Sequence, residues 1–220
     1  MRINKFVAQA TGISRRAADS AIRQGRVQLN SSTAALGDEV IMSDKVSLDG
    51  NVITPATKLT IILNKPTGYV TSRKGQGSKT IYDLLPEEFH SLKPIGRLDK
   101  DSSGLLVLTN DGELANQLTH PKYFKTKVYK IELDKPLEPL HQQIITDHGI
   151  ELDDGKSRLG LHKLDSGLSW QVTMSEGRNR QIRRTFEALG YRVVKLHRVT
   201  FGPYQLSQLS KTQRFAKILT

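Results

Sequence analysis

The chain has 220 residues and no cysteine, which excludes disulfides, a thiol nucleophile and cysteine-bound zinc. A formal net charge of +11 favours a polyanionic partner, most often nucleic acid. No apolar run approaches the length of a membrane span and "MRINKFVAQA" is too polar for a secretory signal, so a cytoplasmic protein without a membrane partner is expected.

The charge is uneven. Residues 1–30 hold six Lys and Arg against the single acid Asp19, residues 31–57 hold Lys45 against four acids, and residues 172–200 hold seven Lys and Arg against Glu176 and Glu187. Two basic segments at opposite ends of the sequence suggest two contact surfaces.

The first segment reads as two short helices followed by strands. Phe6, Val7 and Ala10 share a helical face that Gly12 ends. Ser14 is a suitable N-cap for a second helix with Ala17, Ala18, Ala21 and Ile22 inward, ended by Gly25. "RVQLN" starts a strand, Asn30-Ser31-Ser32 turns, and Asp49-Gly50 within "VSLDGNVI" marks a hairpin. Arg15 and Arg16 fall in the first turn of the second helix, where backbone N–H groups and the dipole already suit phosphate. Their charge opposes that dipole, a conflict that a phosphate partner would relieve, although exposed arginines on a solvated face need no partner. "TPATK" looks like a junction, dividing the chain into domains of residues 1–57 and 58–220.

The second domain mixes strands and helices. "LTIILN" (59–64) is a short apolar strand stopping at Lys65-Pro66. "GLLVLT" (104–109) is continuously apolar, hence buried on both faces, and ends in the turn Asn110-Asp111-Gly112. "TKVYKIELD" puts Tyr129, Ile131 and Leu133 on one face, "LSWQVTM" does the same for Leu168, Trp170, Val172 and Met174, and Asp154-Gly155 marks a turn. Strands do not alternate regularly with helices, so an α+β fold with a mostly antiparallel sheet is expected.

Asn179 can cap a helix running to Gly190, with Ile182, Phe186 and Leu189 on its buried face. Arg180 and Arg184 fall opposite that face, towards solvent or RNA. Arg183 lies on the flank, where an arginine either lays its stem along the core or, partly buried, seeks a carboxylate. Asp99 follows Leu98 in a loop ahead of the buried strand, near the sheet. Asp101, between Lys100 and Ser102-Ser103, suits local hydrogen bonding to backbone N–H groups. Two carboxylates also invite a glycosidase reading, but aspartates this close in one loop do not usually face each other across a substrate. The histidines show no zinc or catalytic spacing, and Gly75 to Gly77 lacks the phosphate-loop pattern.

Longer motifs say more. "GRLDKDSSGLLVLTNDGELANQLTHP", with "NKPTGYVTS", "KTKVYKI", "SEGRNRQIRRTFEALGY" and "KLHRVTFGP" in order, resembles the RsuA/RluB-like family of ribosomal RNA pseudouridine synthases. "RINKFVAQATGISRRAADSAIRQGRVQLN" resembles an S4 RNA-binding domain, a small helical module. The resemblance implies that Asp99 is the catalytic aspartate, Tyr129 the tyrosine that stacks on the base and helps remove its C5 proton, and Arg183 the arginine paired with Asp99. It further implies that Leu196 packs in the pocket and Arg97 holds RNA around the extruded nucleotide. Arg15, Arg16, Arg26, Arg178, Arg180, Arg184 and Arg198 are the expected RNA contacts.

The implied reaction breaks the C1′–N1 bond of a uridine, turns the uracil and joins its C5 to C1′. No atom is lost and no redox occurs, so no cofactor or metal is expected. A carboxylate at C1′ can add covalently or stabilise the cationic sugar, and a nearby arginine keeps it ionised. The base must be flipped out, and an aromatic face suits it. The expected partner is ribosomal RNA or a ribosomal particle, with large-subunit RNA leading on "GELANQLTHP", and the protein is expected to be a monomer. The competing functions are a non-catalytic RNA-binding or ribosome-assembly factor and an N-glycosidase releasing free base.

Overall fold

A computed structural model describes residues 1–123, 125–164, 167–210 and 212–218. The chain divides into two compact units, Met1–Leu59 and Thr60–Thr220.

The first unit opens with α1 (Ile3–Thr11), which buries Ile3, Val7 and Ala8 and ends where Gly12 turns left-handed at φ 77°. Ser14 accepts from the Ala17 N–H at 3.1 Å and so caps α2 (Arg15–Arg23), which buries Ala18, Ala21 and Ile22. Both helices pack on a four-stranded antiparallel sheet of β1 (Val27–Leu29), β2 (Ser32–Thr33), β3 (Val46–Leu48) and β4 (Asn51–Ile53), in the order β2-β1-β3-β4. Its two hairpins turn at Asn30-Ser31 and Asp49-Gly50, with φ positive at all four residues, the geometry that matches strand twist. The unit therefore carries a four-stranded sheet beside its helices and is not purely helical. Strands of two or three residues are too short to show an alternating pattern in sequence.

The second unit is built on β5 (Thr60–Lys65), β6 (Lys93–Ile95), β7 (Ser103–Thr109), β8 (Lys127–Leu133), β9 (Ile150–Leu152), β10 (Gly155–Ser157), β11 (Gly160–Lys163), β12 (Ser169–Met174), β13 (Val193–Phe201), β14 (Tyr204–Gln205) and β15 (Phe215–Ile218). Its helices are α3 (Gly112–Thr119), α4 (Pro139–Gln143) and α5 (Gln181–Glu187). The main sheet runs β11-β12-β8-β13-β7-β5-β15, with β14 on β13 and β6 on β7, while β9 and β10 form a separate hairpin. Every pairing is antiparallel except β13 with β7. The fold is α+β with a mostly antiparallel sheet, as the irregular order of elements implies.

Strand β7 is central, and every residue from Gly104 to Thr109 is buried, which explains its unbroken apolar run. Two boundaries differ from expectation. Asp111 does not close a plain turn: its carboxylate accepts from the Glu113 N–H at 2.9 Å and caps α3, whose single fully buried side chain, Leu118, leaves little helical periodicity. Asn179 does not cap α5. Arg180 holds that position in a left-handed conformation at φ 45°, and the helix stops at Glu187.

Candidate active site

Residues 96–102 link the end of β6 to the start of β7, and the protein pins their backbone from below. Lys65, the last residue of β5, is wholly buried. Its Nζ donates to the carbonyls of Pro66 at 3.0 Å, Asp99 at 3.0 Å and Ser102 at 2.7 Å. Burial pushes this ammonium down to about 8, against the opposing pull of Asp99 and Asp101. Thr71 adds a two-way clamp, donating to the Leu98 carbonyl at 2.7 Å and accepting from the Leu98 N–H at 3.2 Å. The main chain is thus fixed while the Asp99 side chain stays 34% exposed.

The arginine pairing differs from the expected one. Arg180 bridges both aspartates, with Nη1 3.6 Å from Asp99 Oδ2 and Nη2 3.0 Å from Asp101 Oδ2. Arg183, only 12% exposed, places Nε 3.3 Å from Asp101 Oδ2 and donates from Nη2 to the Asp101 carbonyl at 3.0 Å and from Nη1 to the Val193 carbonyl at 2.5 Å. Arg183 is therefore a carboxylate partner on the helix flank, but of Asp101, while Arg180 meets Asp99. The reason is the left-handed turn at residue 180, which removes Arg180 from the helix surface and turns it back to the loop. Asp101 accepts from its own backbone N–H, the local bonding expected of it, and is in addition the acceptor that two arginines share. Burial pushes its carboxyl up, but the Arg180 hydrogen bonds and the charges of Arg183 and Arg180 outweigh this and hold it below the usual carboxylate range.

Asp99 opens onto a cleft of about 350 Å³, within the usual range for small-ligand sites. Its walls include Arg97, Tyr129, Met174, Leu196 and Arg198. Tyr129 on β8 pairs in register with Arg198 on β13 and Val172 on β12, and Leu196 pairs with Ile131. Cross-strand partners and residues two apart share a face, so Tyr129, Leu196 and Arg198 project together. Tyr129 and Leu196 are nearly buried, at 8% and 9% exposure. Arg97 is exposed at the cleft wall and makes no ion pair with any described residue.

The remaining arginines divide by what already holds them. Arg178, also in the cleft wall, is clamped to the β9–β10 hairpin by bonds to Asp154, Gly155 and Lys156 and pairs with Glu176. Arg184 pairs with Asp153 and Asp154. Arg184, expected to face solvent or RNA, is held by this acidic turn, which the 180–187 pattern gives no means to see. In the first unit Arg26 is bidentate to Asp49 at 2.8 and 2.5 Å, Arg15 reaches Asn4 at 3.4 Å, and Arg16 is exposed.

Residues 59–188 match the family model for RNA pseudouridylate synthase. The chain is 40% identical to ribosomal large subunit pseudouridine synthase B of Bacillus subtilis (strain 168), over 91% of this chain and 85% of that one. It is 38% identical to the dual-specificity RNA pseudouridine synthase RluF of Salmonella typhi, over 94% of this chain and 72% of that one. The chain belongs to the RNA pseudouridylate synthase family. A solved structure described as a pseudouridylate synthase superposes with a TM-score of 0.69 at 31% identity, covering 100% of this chain and 96% of that one. The protein is accordingly an RNA pseudouridine synthase, an isomerase.

Two residues that shape this synthase's site escape sequence reasoning. Lys65 reads as the residue that stops an apolar strand, yet it is two positions beyond Leu63 and four beyond Ile61, both wholly buried, which is the signal that it points inward. Lys127 lines the cleft beside Tyr129 and donates to the Glu176 carbonyl at 2.9 Å. Its place two residues before Tyr129 on an alternating strand puts it on the same face.

Proposed function

We propose that the synthase isomerises a uridine of ribosomal RNA, with large-subunit RNA favoured over small-subunit RNA, and that Asp99 acts at ribose C1′ once the nucleotide is flipped into the cleft. The reading is carried by one observation: a half-open carboxylate on a rigidly pinned loop faces a cleft walled by Tyr129, with a guanidinium at 3.6 Å. Ribosomal RNA is supported by the names of the relatives, and the large subunit by that of the Bacillus subtilis protein.

In this reading breaking C1′–N1 leaves positive character on the sugar, which the Asp99 carboxylate captures covalently or stabilises while C2′ is deprotonated. Arg180 meets the Asp99 carboxylate and aims it. Arg183 acts one step back, holding Asp101 and through it the loop and Arg180. Tyr129 offers its face to the extruded uracil and stands where it can assist loss of the C5 proton, with Leu196 as the apolar packing surface. Arg97 contacts RNA around the extruded nucleotide. The first unit acts as an S4-type RNA-binding module through Arg15 and Arg16. The protein works as a cytoplasmic monomer without a cofactor.

The test is pseudouridine mapping of ribosomal RNA from a deletion strain and its parent. Loss of pseudouridine at one large-subunit position, restored when purified protein acts on the unmodified RNA, is the expected result. Full modification in the deletion strain, with no activity of the protein on its ribosomal RNA, would overturn the assignment of substrate.

A further inference from the structure

Arg198 is the least accommodated charge in the cleft. It is 2% exposed and lies in the cleft wall, yet none of the described ion pairs involves it. Its Nε donates to the Leu105 carbonyl at 2.7 Å, just past the point where the β7–β13 pairing ends. Its guanidinium carbon stacks 4.9 Å from the centre of the Phe201 ring. Its Nη2 is buried and has no hydrogen-bond partner among the described residues. A buried guanidinium N–H without an acceptor is costly, and such groups are retained where a ligand supplies the acceptor.

The surroundings specify what that acceptor carries. Lys127 projects from β8 beside Tyr129, so a second cation shares the wall. Burial pushes its ammonium down, the Arg198 charge pushes it down further, and Glu176 opposes only in part. Two cations this close without a paired carboxylate on Arg198 make a site for developing negative charge. Gly104 fixes where that charge is met. A Cβ there would lie 2.2 Å from the Arg198 carbonyl oxygen and 2.6 Å from its nitrogen, so only glycine lets β13 carry Arg198 this close to the strand that follows the Asp99 loop.

We propose that Arg198 donates from Nη2 to a carbonyl oxygen of the extruded uracil and stabilises the negative charge that the base carries once it is detached. This rests on the uridine isomerisation proposed above. When C1′–N1 breaks, its electron pair leaves with the uracil and spreads over N1 and the two carbonyl oxygens. When C5 bonds C1′ that charge is spent, the C5 proton is lost to a base and N1 takes up a proton, so atoms and charge balance. A fixed, water-excluded donor to the anion lowers the barrier to C1′–N1 cleavage, as an oxyanion hole does for acyl transfer. Tyr129 and Arg198, paired across neighbouring strands, then hold the face and the edge of one base.

The experiment is a protein–RNA cycle on a stem-loop carrying the mapped uridine. Single-turnover rates and RNA affinities are measured for wild type, Arg198→Met and Arg198→Lys, with uridine, 2-thiouridine or 4-thiouridine at the target. Arg198→Met is expected to slow the chemical step about 100-fold or more while RNA affinity changes little. One thio substitution, which weakens the acceptor, should slow wild type about tenfold and leave Arg198→Met no slower. If Arg198→Met does not fold, the cycle is read with Arg198→Lys, which lacks the second guanidinium nitrogen beyond the one bound to Leu105. Multiplicative losses for both thio substitutions would overturn the proposal. Absence of pseudouridine with wild type and unmodified stem-loop would instead count against the assigned substrate.

Discussion

The Lys65 ammonium donates to the backbone carbonyl of Asp99 at 3.0 Å, from a position wholly inside the sheet. The candidate nucleophile is therefore placed through its main chain, by a residue that touches neither the cleft nor the Asp99 carboxylate. Lys65→Met leaves one buried and two half-buried carbonyls without their donor and should destabilise the second unit by a few kcal/mol, measured by urea unfolding. In whatever fraction remains folded, turnover should fall more than RNA affinity.

Lys65 also gives stability a distinctive pH dependence. Its ammonium titrates at about 8 in the fold and at 10.5 in the unfolded chain, so between these values the unfolded state holds the extra proton. Wild type should therefore gain stability relative to Lys65→Met as pH rises from 8 to 10.5, by as much as roughly 3 kcal/mol, and no such gain should appear below pH 7. Urea midpoints of the two proteins across this range check the sign.

Gly104→Ala tests the approach of β13 to β7. The added methyl would meet the Arg198 backbone at 2.2 Å, at a residue with φ of 103°, so strand separation is forced. The expected loss is roughly 3 kcal/mol or more, with activity falling as Arg198 is displaced. Thermal unfolding and turnover of the same preparation measure both.

The two loop aspartates should respond differently. Asp101→Asn removes a carboxylate that Arg180 and Arg183 share, and because that group is 48% exposed the stability cost should be about 1–2 kcal/mol, with partial activity retained. Asp99→Asn should leave the unfolding midpoint nearly unchanged. Paired denaturation curves and turnover numbers separate the roles.

Much of this is legible in the sequence alone. Ser14, Gly12 and the Asp49-Gly50 hairpin carry their geometry in residue type alone, and the apolar run 104–109 announces a strand covered on both faces. Asp99 and Tyr129 were named by motif, and their shared cleft by nothing local. The resemblance pairs Arg183 with Asp99, whereas Arg180 is the arginine that reaches Asp99, because the backbone turns left-handed at residue 180 and the helical pattern does not reveal that turn. The clamps on Arg178 and Arg184 come from Asp153 and Asp154, more than twenty residues earlier in sequence, in a turn whose location only the tertiary fold sets.

In the first unit, Arg15 and Arg16 are exposed and make no ion pair among the described residues, whereas Arg26 is already bidentate to Asp49. Changing Arg15 and Arg16 to Gln should weaken RNA binding and reduce the slope of log affinity against log salt by about 0.7–0.9 per lost phosphate contact. Arg26→Gln should alter the slope less. Filter binding at several salt concentrations decides between them.

The central claim is that the Asp99 carboxylate carries the chemistry rather than the binding. The direct measurement is pseudouridine formed by Asp99→Asn in the mapped RNA, alongside its affinity for that RNA. The account predicts no product above background, with affinity within about threefold of wild type. Pseudouridine formed at the wild-type rate by Asp99→Asn would contradict it.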